Sequence, residues 1–370
     1  MLTKRLIPAL FLLLVLAACG GHNFWATSNT NTTTNPTGAV PKFAYVANFN
    51  GGGAGSVSGY SINTSSGALG TVNGSPFSTG TGTVAAGADS AGKFVFAANQ
   101  GGGVSAFTVN RNDGSLATVS GSPFATGTTP AWVAVDPAGR FVYVVNSGSS
   151  DISGFSINAS TGALTPFTAT VPTAAAPLRA RVDPTGHFLY VALGASGTQV
   201  FKINTDGTLT LSGTVAVAPC AASNDIALDA NAKFAFVADG ATGVCNYAVN
   251  GNTGNLTLIS TAVVASGTKP VAVAVGANGK FLFVANQTSN NLAGFSIAAD
   301  GTLAAMTGSP FTTGSAPSDV TVDPSGSFVY VANTNSNSIS VFSIQSSSNT
   351  LSSTGSAATG ANPASVVTTQ

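Results

Sequence analysis

Charge is scarce in this chain. Asp, Glu, Lys and Arg make up only 6% of its 370 residues, against about a quarter in ordinary soluble proteins. Glutamate is missing altogether, so all 12 acids are aspartates. Beyond residue 20 the strong helix formers are thin, and no stretch has a helical apolar period; a helical fold is excluded. No basic patch exists, which excludes nucleic acid as the expected partner. Without helices there is no G-x-S-x-G elbow. The GGG runs at 51–53 and 101–103 lie between strands, with no helix N-terminus behind them to hold an anion. No catalytic residue, metal site or cofactor is therefore assigned.

What is present is apolar and turn-rich. Hydrophobic residues make up 44%, and 44 glycines, with Ser, Thr and Asn, fill the polar positions. This is the composition of strands and tight turns.

The first residues read as a processing signal. Lys4 and Arg5 precede an apolar run, Leu6 to Ala18, that is too short for the ~20 residues of a membrane-spanning helix. It ends in "LAAC", which resembles a bacterial lipobox, with Cys19 as the lipidated residue. An ordinary signal peptide with an incidental cysteine is the alternative. The expected organisation is a leader at 1–18, a flexible tether at 19–38 and a folded region at 39–370. Gly20 after the cysteine, rather than Asp, resembles outer-membrane lipoproteins, so the expected address is the bacterial cell envelope. The membrane is reached through the lipid alone. Losing Lys4 and Arg5 leaves a net charge near −2.

The folded region repeats itself. Phe43, Phe94, Phe141, Phe188, Phe234, Phe281 and Phe328 recur at steps of 51, 47, 47, 46, 47 and 47 residues. A second aromatic follows each by two: Tyr45, Phe96, Tyr143, Tyr190, Phe236, Phe283 and Tyr330. Spacing of two puts both rings on one strand face, and the apolar residues between them mark the other face as buried too. Each unit reads as four strands. In the third, "AWVAVD" is strand A, "FVYVVN" B, "ISGFSIN" C and "LTPFTAT" D. Units of this size and make-up are propeller blades. The first unit lacks a strand A, and the terminal "NPASVVTTQ" (362–370) matches the strand A segments of other units. The expectation is an all-β, seven-bladed β-propeller of four-stranded antiparallel blades, its ring closed by the C-terminal strand.

"YVAN" at 45–48 and 330–333, "FVAN" at 283–286, the turns "DPAGR" and "DPSGS", and the hairpins "STGAL" and "SSGAL" resemble the YVTN-type repeats of lactonase-like seven-bladed propellers. The resemblance spans roughly 38–370. It implies that fold, 6-phosphogluconolactonase or related lactone chemistry, and a central funnel site built from His, Arg and Glu. Here the chain departs from the family. It has no Glu; His22 is in the tether, and His187 sits in a turn.

Other residues divide between structure and function. Asp89, Asp136, Asp183, Asp229 and Asp323 read as turn formers, with calcium or a carboxylate ring as the alternative. Asn48, Asn99, Asn146, Asp239, Asn286 and Asn333 end strand B and read as caps of the next loop, or as a polar rim. Cys220 and Cys245 form an even pair in an oxidising compartment, on loops that share a rim, and are expected to join.

The constellation with most functional promise is on strand A. Four residues before the turn acid stand Ala85, Trp132, Arg179, Asp225, Ala272, Asp319 and Ser365. Arg181 shares the face of Arg179. Trp132, Arg179, Arg181, Asp225 and Asp319 are the candidate ligand-binding set at the channel mouth. The alternative is a structural ion pair, with Asp225 expected as the partner of Arg179. The reading is a lipid-anchored monomer that binds a small anionic or carbohydrate-like ligand, or a protein partner. A lactone hydrolase and a structural adhesion module are the rival readings.

Overall fold

The computed structural model describes residues 43–215, 220, 222–241, 243–260 and 263–370. The expected leader at 1–18, the expected tether at 19–38, Cys19 and His22 lie outside the described residues. Seven antiparallel sheets stand side by side, each built in the order A-B-C-D from the centre outward. Their inner strands touch one another around the axis. The protein is a seven-bladed β-propeller.

The ring closes as expected. Strand B of blade 1, Phe43–Asn48, takes as its inner neighbour the terminal strand Pro363–Thr369, with Phe43 opposite Thr369 and Ala47 opposite Ser365. Strand B is buried on both faces, and the second aromatics, Tyr45, Phe96, Tyr143, Tyr190, Phe236, Phe283 and Tyr330, are wholly covered.

These rings join neighbouring blades. The Tyr45 hydroxyl donates to the carbonyl of Gly114 in the C–D turn of blade 2. Tyr143, Tyr190 and Tyr330 make the same bond to Gly207, Gly254 and Gly67 of the following blade. Blade 5 has Phe236 instead, and Asn246, directly opposite it on strand C, donates to Gly301. The first aromatics press under the same turns. A Cβ on Gly114, whose φ is +77°, would stand 2.3 Å from the Phe43 ring. Both its backbone and its neighbour require glycine there.

The turn acids are structural. Asp136 Oδ1 accepts the N–H groups of Arg140 and Phe141. Asp89, Asp183, Asp229 and Asp323 repeat this at their own turns. The strand-end asparagines cap strand C hydroxyls, as Asn48 does on Ser58, Asn146 on Ser153 and Asn333 on Ser340. Cys220 and Cys245 are joined in a disulfide with Cα atoms 6.2 Å apart.

Strand D of blade 3 departs from the expected single strand. It is two pieces, Leu164–Pro166 and Val171–Pro172, both paired to strand C. Between them Phe167 donates its N–H to the Gly154 carbonyl and lays its ring over that glycine. A Cβ on Gly154 would stand 2.5 Å from that ring, so the approach needs glycine. Blades 1, 5 and 6 also divide strand D, whereas blades 4 and 7 carry it unbroken as Leu209–Val215 and Thr350–Ala358.

Candidate functional site

Strand A is the inner edge of each sheet. One of its positions has equal register in all blades, opposite the fifth residue of strand B. There Ala85 faces Ala98, Trp132 faces Val145, Arg179 faces Ala192, Asp225 faces Ala238, Ala272 faces Ala285, Asp319 faces Ala332 and Ser365 faces Ala47. Seven-fold repetition therefore sets these side chains at one height around the axis.

Four blades supply the polar cluster. Arg179 Nη1 donates to Asp319 Oδ1 at 2.8 Å and to Asp225 Oδ2 at 3.3 Å, and its Nη2 donates to the Ser318 carbonyl at 2.6 Å. Arg181 Nη2 donates to Asp225 Oδ2 at 3.1 Å. Both guanidiniums lie over the Trp132 ring, 4.3 Å and 4.7 Å from its centroid. Such stacking contributes from ~0.5 to ~2 kcal/mol per contact, more as water is excluded. Two cations meet two anions, so the cluster is close to neutral.

The acids also bind backbone. Asp225 Oδ1 accepts the N–H of Ile226, and Oδ2 accepts that of Val273 in the next blade. Asp319 Oδ2 accepts the Val366 N–H, and Ser365 Oγ accepts the Ala86 N–H. The repeated position thus ties the inner strand of one blade to the strand beside it. The sequence places Ser365 at this ring position but outside the candidate set, because a serine is unremarkable in so hydroxyl-rich a chain. Its signal was its register with Asp225 and Asp319.

Electrostatics follow from burial. Asp225 and Asp319 are buried. Burial pushes the Asp319 carboxyl above the ordinary range and outweighs the pull of Arg179 and Arg181. For Arg181 burial works against the charge, yet Asp225 and Asp319 hold its pKa above the usual value. The Arg181 side chain keeps 31% of its surface open, against 12% for Arg179. That open part borders a channel cavity of about 300 Å³, also lined by Trp132 and Asp319 and by inner-strand residues toward the A–B turns.

The structure brings all five predicted residues together. They form a largely buried plug of paired opposite charges beside the cavity, with Arg181 partly open to it. Arg179 pairs with Asp225 as expected, at 3.3 Å, and makes a second, shorter contact of 2.8 Å to Asp319. His187 is an exposed turn residue whose Nδ1 lies 3.0 Å from the Thr185 hydroxyl. No cluster of metal-ligating side chains occurs among the described residues.

Residues 88–178 and 177–368 match the family described as Lactonase, 7-bladed beta-propeller. The chain belongs to that family. No curated protein matches the sequence of this lactonase-family propeller. Its fold is shared with solved structures. A Bacteroides fragilis protein described as a candidate 6-phosphogluconolactonase aligns with a TM-score of 0.76 at 20% identity, over 90% of this chain and 99% of its own. A Lactobacillus plantarum protein aligns at 0.76 and 23% identity, over 89% and 100%. The periplasmic gluconolactonase of Pseudomonas aeruginosa aligns at 0.73 and 20% identity, over 88% and 98%. These are likenesses of fold.

Proposed function

We propose that this lactonase-family propeller binds a small oxygen-rich ligand, of the lactone or sugar-acid kind, in its channel cavity. The carrying observation is Arg181. It is the most open charged group of the cluster and stacks on Trp132 beside a cavity of about 300 Å³, at the small end of ligand sites. Guanidinium donors suit carbonyl and carboxylate oxygens, and the indole offers an apolar wall.

Hydrolysis of a bound lactone is the second reading, and family membership favours it. Against a carboxylate base stands the occupancy of the acids, since both oxygens of Asp225 and Asp319 already accept hydrogen bonds. Arg181 would then act by polarising the lactone carbonyl toward attack by water. A lipidated Cys19 on a monomer held in the cell envelope completes the proposal. The periplasmic relative supports an address outside the cytoplasm.

The test is a panel of aldonolactones and aldonates. Wild type is expected to gain melting temperature with at least one member, and Arg181→Gln to lose that gain while remaining folded. Acid release from a lactone, followed by pH-stat, separates hydrolysis from binding. No shift and no turnover across the panel would leave the plug as a structural brace, the reading in which the propeller is a scaffold.

A further inference from the structure

The inner strands carry an unfinished pattern of hydrogen bonds. At one height, four N–H groups point from the strand edges at an acceptor supplied by the chain. Ile226 and Val273 take the Asp225 carboxylate, Val366 takes that of Asp319, and Ala86 takes the Ser365 hydroxyl. Each of these four residues stands opposite the fourth residue of its strand B.

Val133, Ala180 and Val320 have the same register, opposite Val144, Val191 and Val331. An antiparallel ladder alternates the direction of its N–H groups residue by residue. Equal register therefore turns these three N–H groups toward the channel, as it does the other four. The residue that would cap each, one blade earlier, is Ala85, Trp132 and Ala272 in turn, and none of these side chains carries an acceptor. All three uncapped residues line the cavity, and so does Arg181.

We infer that this level of the channel is a carboxylate site, in which the oxygens of a small hydroxy acid take the place that Asp225, Asp319 and Ser365 fill elsewhere in the ring. The chain itself displays the chemistry, since a carboxylate already satisfies three of the seven equivalent amides. Backbone amides facing a common space favour anions without carrying a full charge. Arg181 adds the cation, and its bond to Asp225 uses only one of its terminal nitrogens. Asp319 does not compete for the amides, because its two oxygens are held by Arg179 and Val366. This rests on the reading of the cavity as a ligand site and specifies which end of the ligand it grips.

Calorimetric titration of the folded chain compares D-gluconate with gluconamide and glucose, which share its hydroxyls and lack the charge. Gluconate is expected to bind at least about tenfold tighter than either. Arg181→Gln should abolish that preference. Ala272→Ser should weaken gluconate several-fold without lowering the melting temperature, because its hydroxyl would cap Val320 as Ser365 caps Ala86. This variant still decides the matter if Arg181→Gln fails to fold. Equal binding by Ala272→Ser overturns the inference. Binding of gluconamide or glucose in preference to gluconate overturns it too, while leaving the ligand-site reading intact. A channel that takes none of the three sinks this inference; a lactone that nevertheless binds there keeps the broader reading.

Discussion

At the scale of single residues, two hydrogen-bonded groups of equal burial carry different weight. Tyr330 joins blade 7 to blade 1 through one neutral bond to the Gly67 carbonyl. Tyr330→Phe keeps the ring and loses that bond, so it is expected to cost about 1 kcal/mol. Three blades already carry Phe at the equivalent place, in Phe96, Phe236 and Phe283. Asp225 is another matter. Asp225→Ala strips Arg179 of one carboxylate partner, Arg181 of the carboxylate it pairs with and two amides of their acceptor. Breaking a buried pair in this way costs about 3–5 kcal/mol. Chemical unfolding of both variants checks the ranking; equal costs would mean that Asp225 is exchangeable. The cluster was legible in the sequence because charge is rare in this chain, so four charged or aromatic residues at one repeated position stood out. Its closure into a plug was not legible. That depends on Arg179 reaching across the axis to Asp319, a distance no spacing along the chain encodes.

Elements show where local chemistry suffices. Strand B was readable from paired aromatics, and the A–B turn from Asp, Pro and Gly. The division of strand D was not, because it depends on Phe167 finding room over Gly154 on another strand. The C–D turns carry a pH signature. Asp113 accepts from the Ser115 amide and hydroxyl, and Asp206 and Asp300 accept from the hydroxyls and amides of Thr208 and Thr302. These bonds favour the charged form and hold all three carboxyls below their ordinary pKa. A depressed carboxyl stabilises the fold above its unfolded pKa of about 3.9, and that contribution is lost as pH falls through the folded value. Carboxyl NMR titration should find all three midpoints below the unfolded value. Asp113→Asn should shrink the loss of stability between pH 4 and the acid limit. A midpoint at or above the ordinary value for Asp113 would show the turn bonds to be absent in solution.

On the scale of the whole molecule, the same contact is used around the ring. An aromatic of one blade reads the C–D turn of the next, as Phe43 and Tyr45 read Gly114 and as Phe328 and Tyr330 read Gly67. The terminal strand Pro363–Thr369 completes blade 1 and joins segments more than 300 residues apart. Removing everything after Ala361 leaves Phe43–Asn48 without its inner neighbour and exposes a strand edge. The truncated chain is expected to melt lower and to gain mass with concentration in light scattering; behaviour like the full chain would show the closure to be dispensable. The contact between blades also has a direction, since the face that offers aromatics differs from the face that offers turns. In the language of assemblies it is heterologous, and it closes only because seven equal rotations complete a circle. An opened ring would present a complementary surface at each end, and one molecule could take up the next in the same sense. Damage to the closing strand should therefore yield linear head-to-tail chains of propellers rather than symmetric dimers.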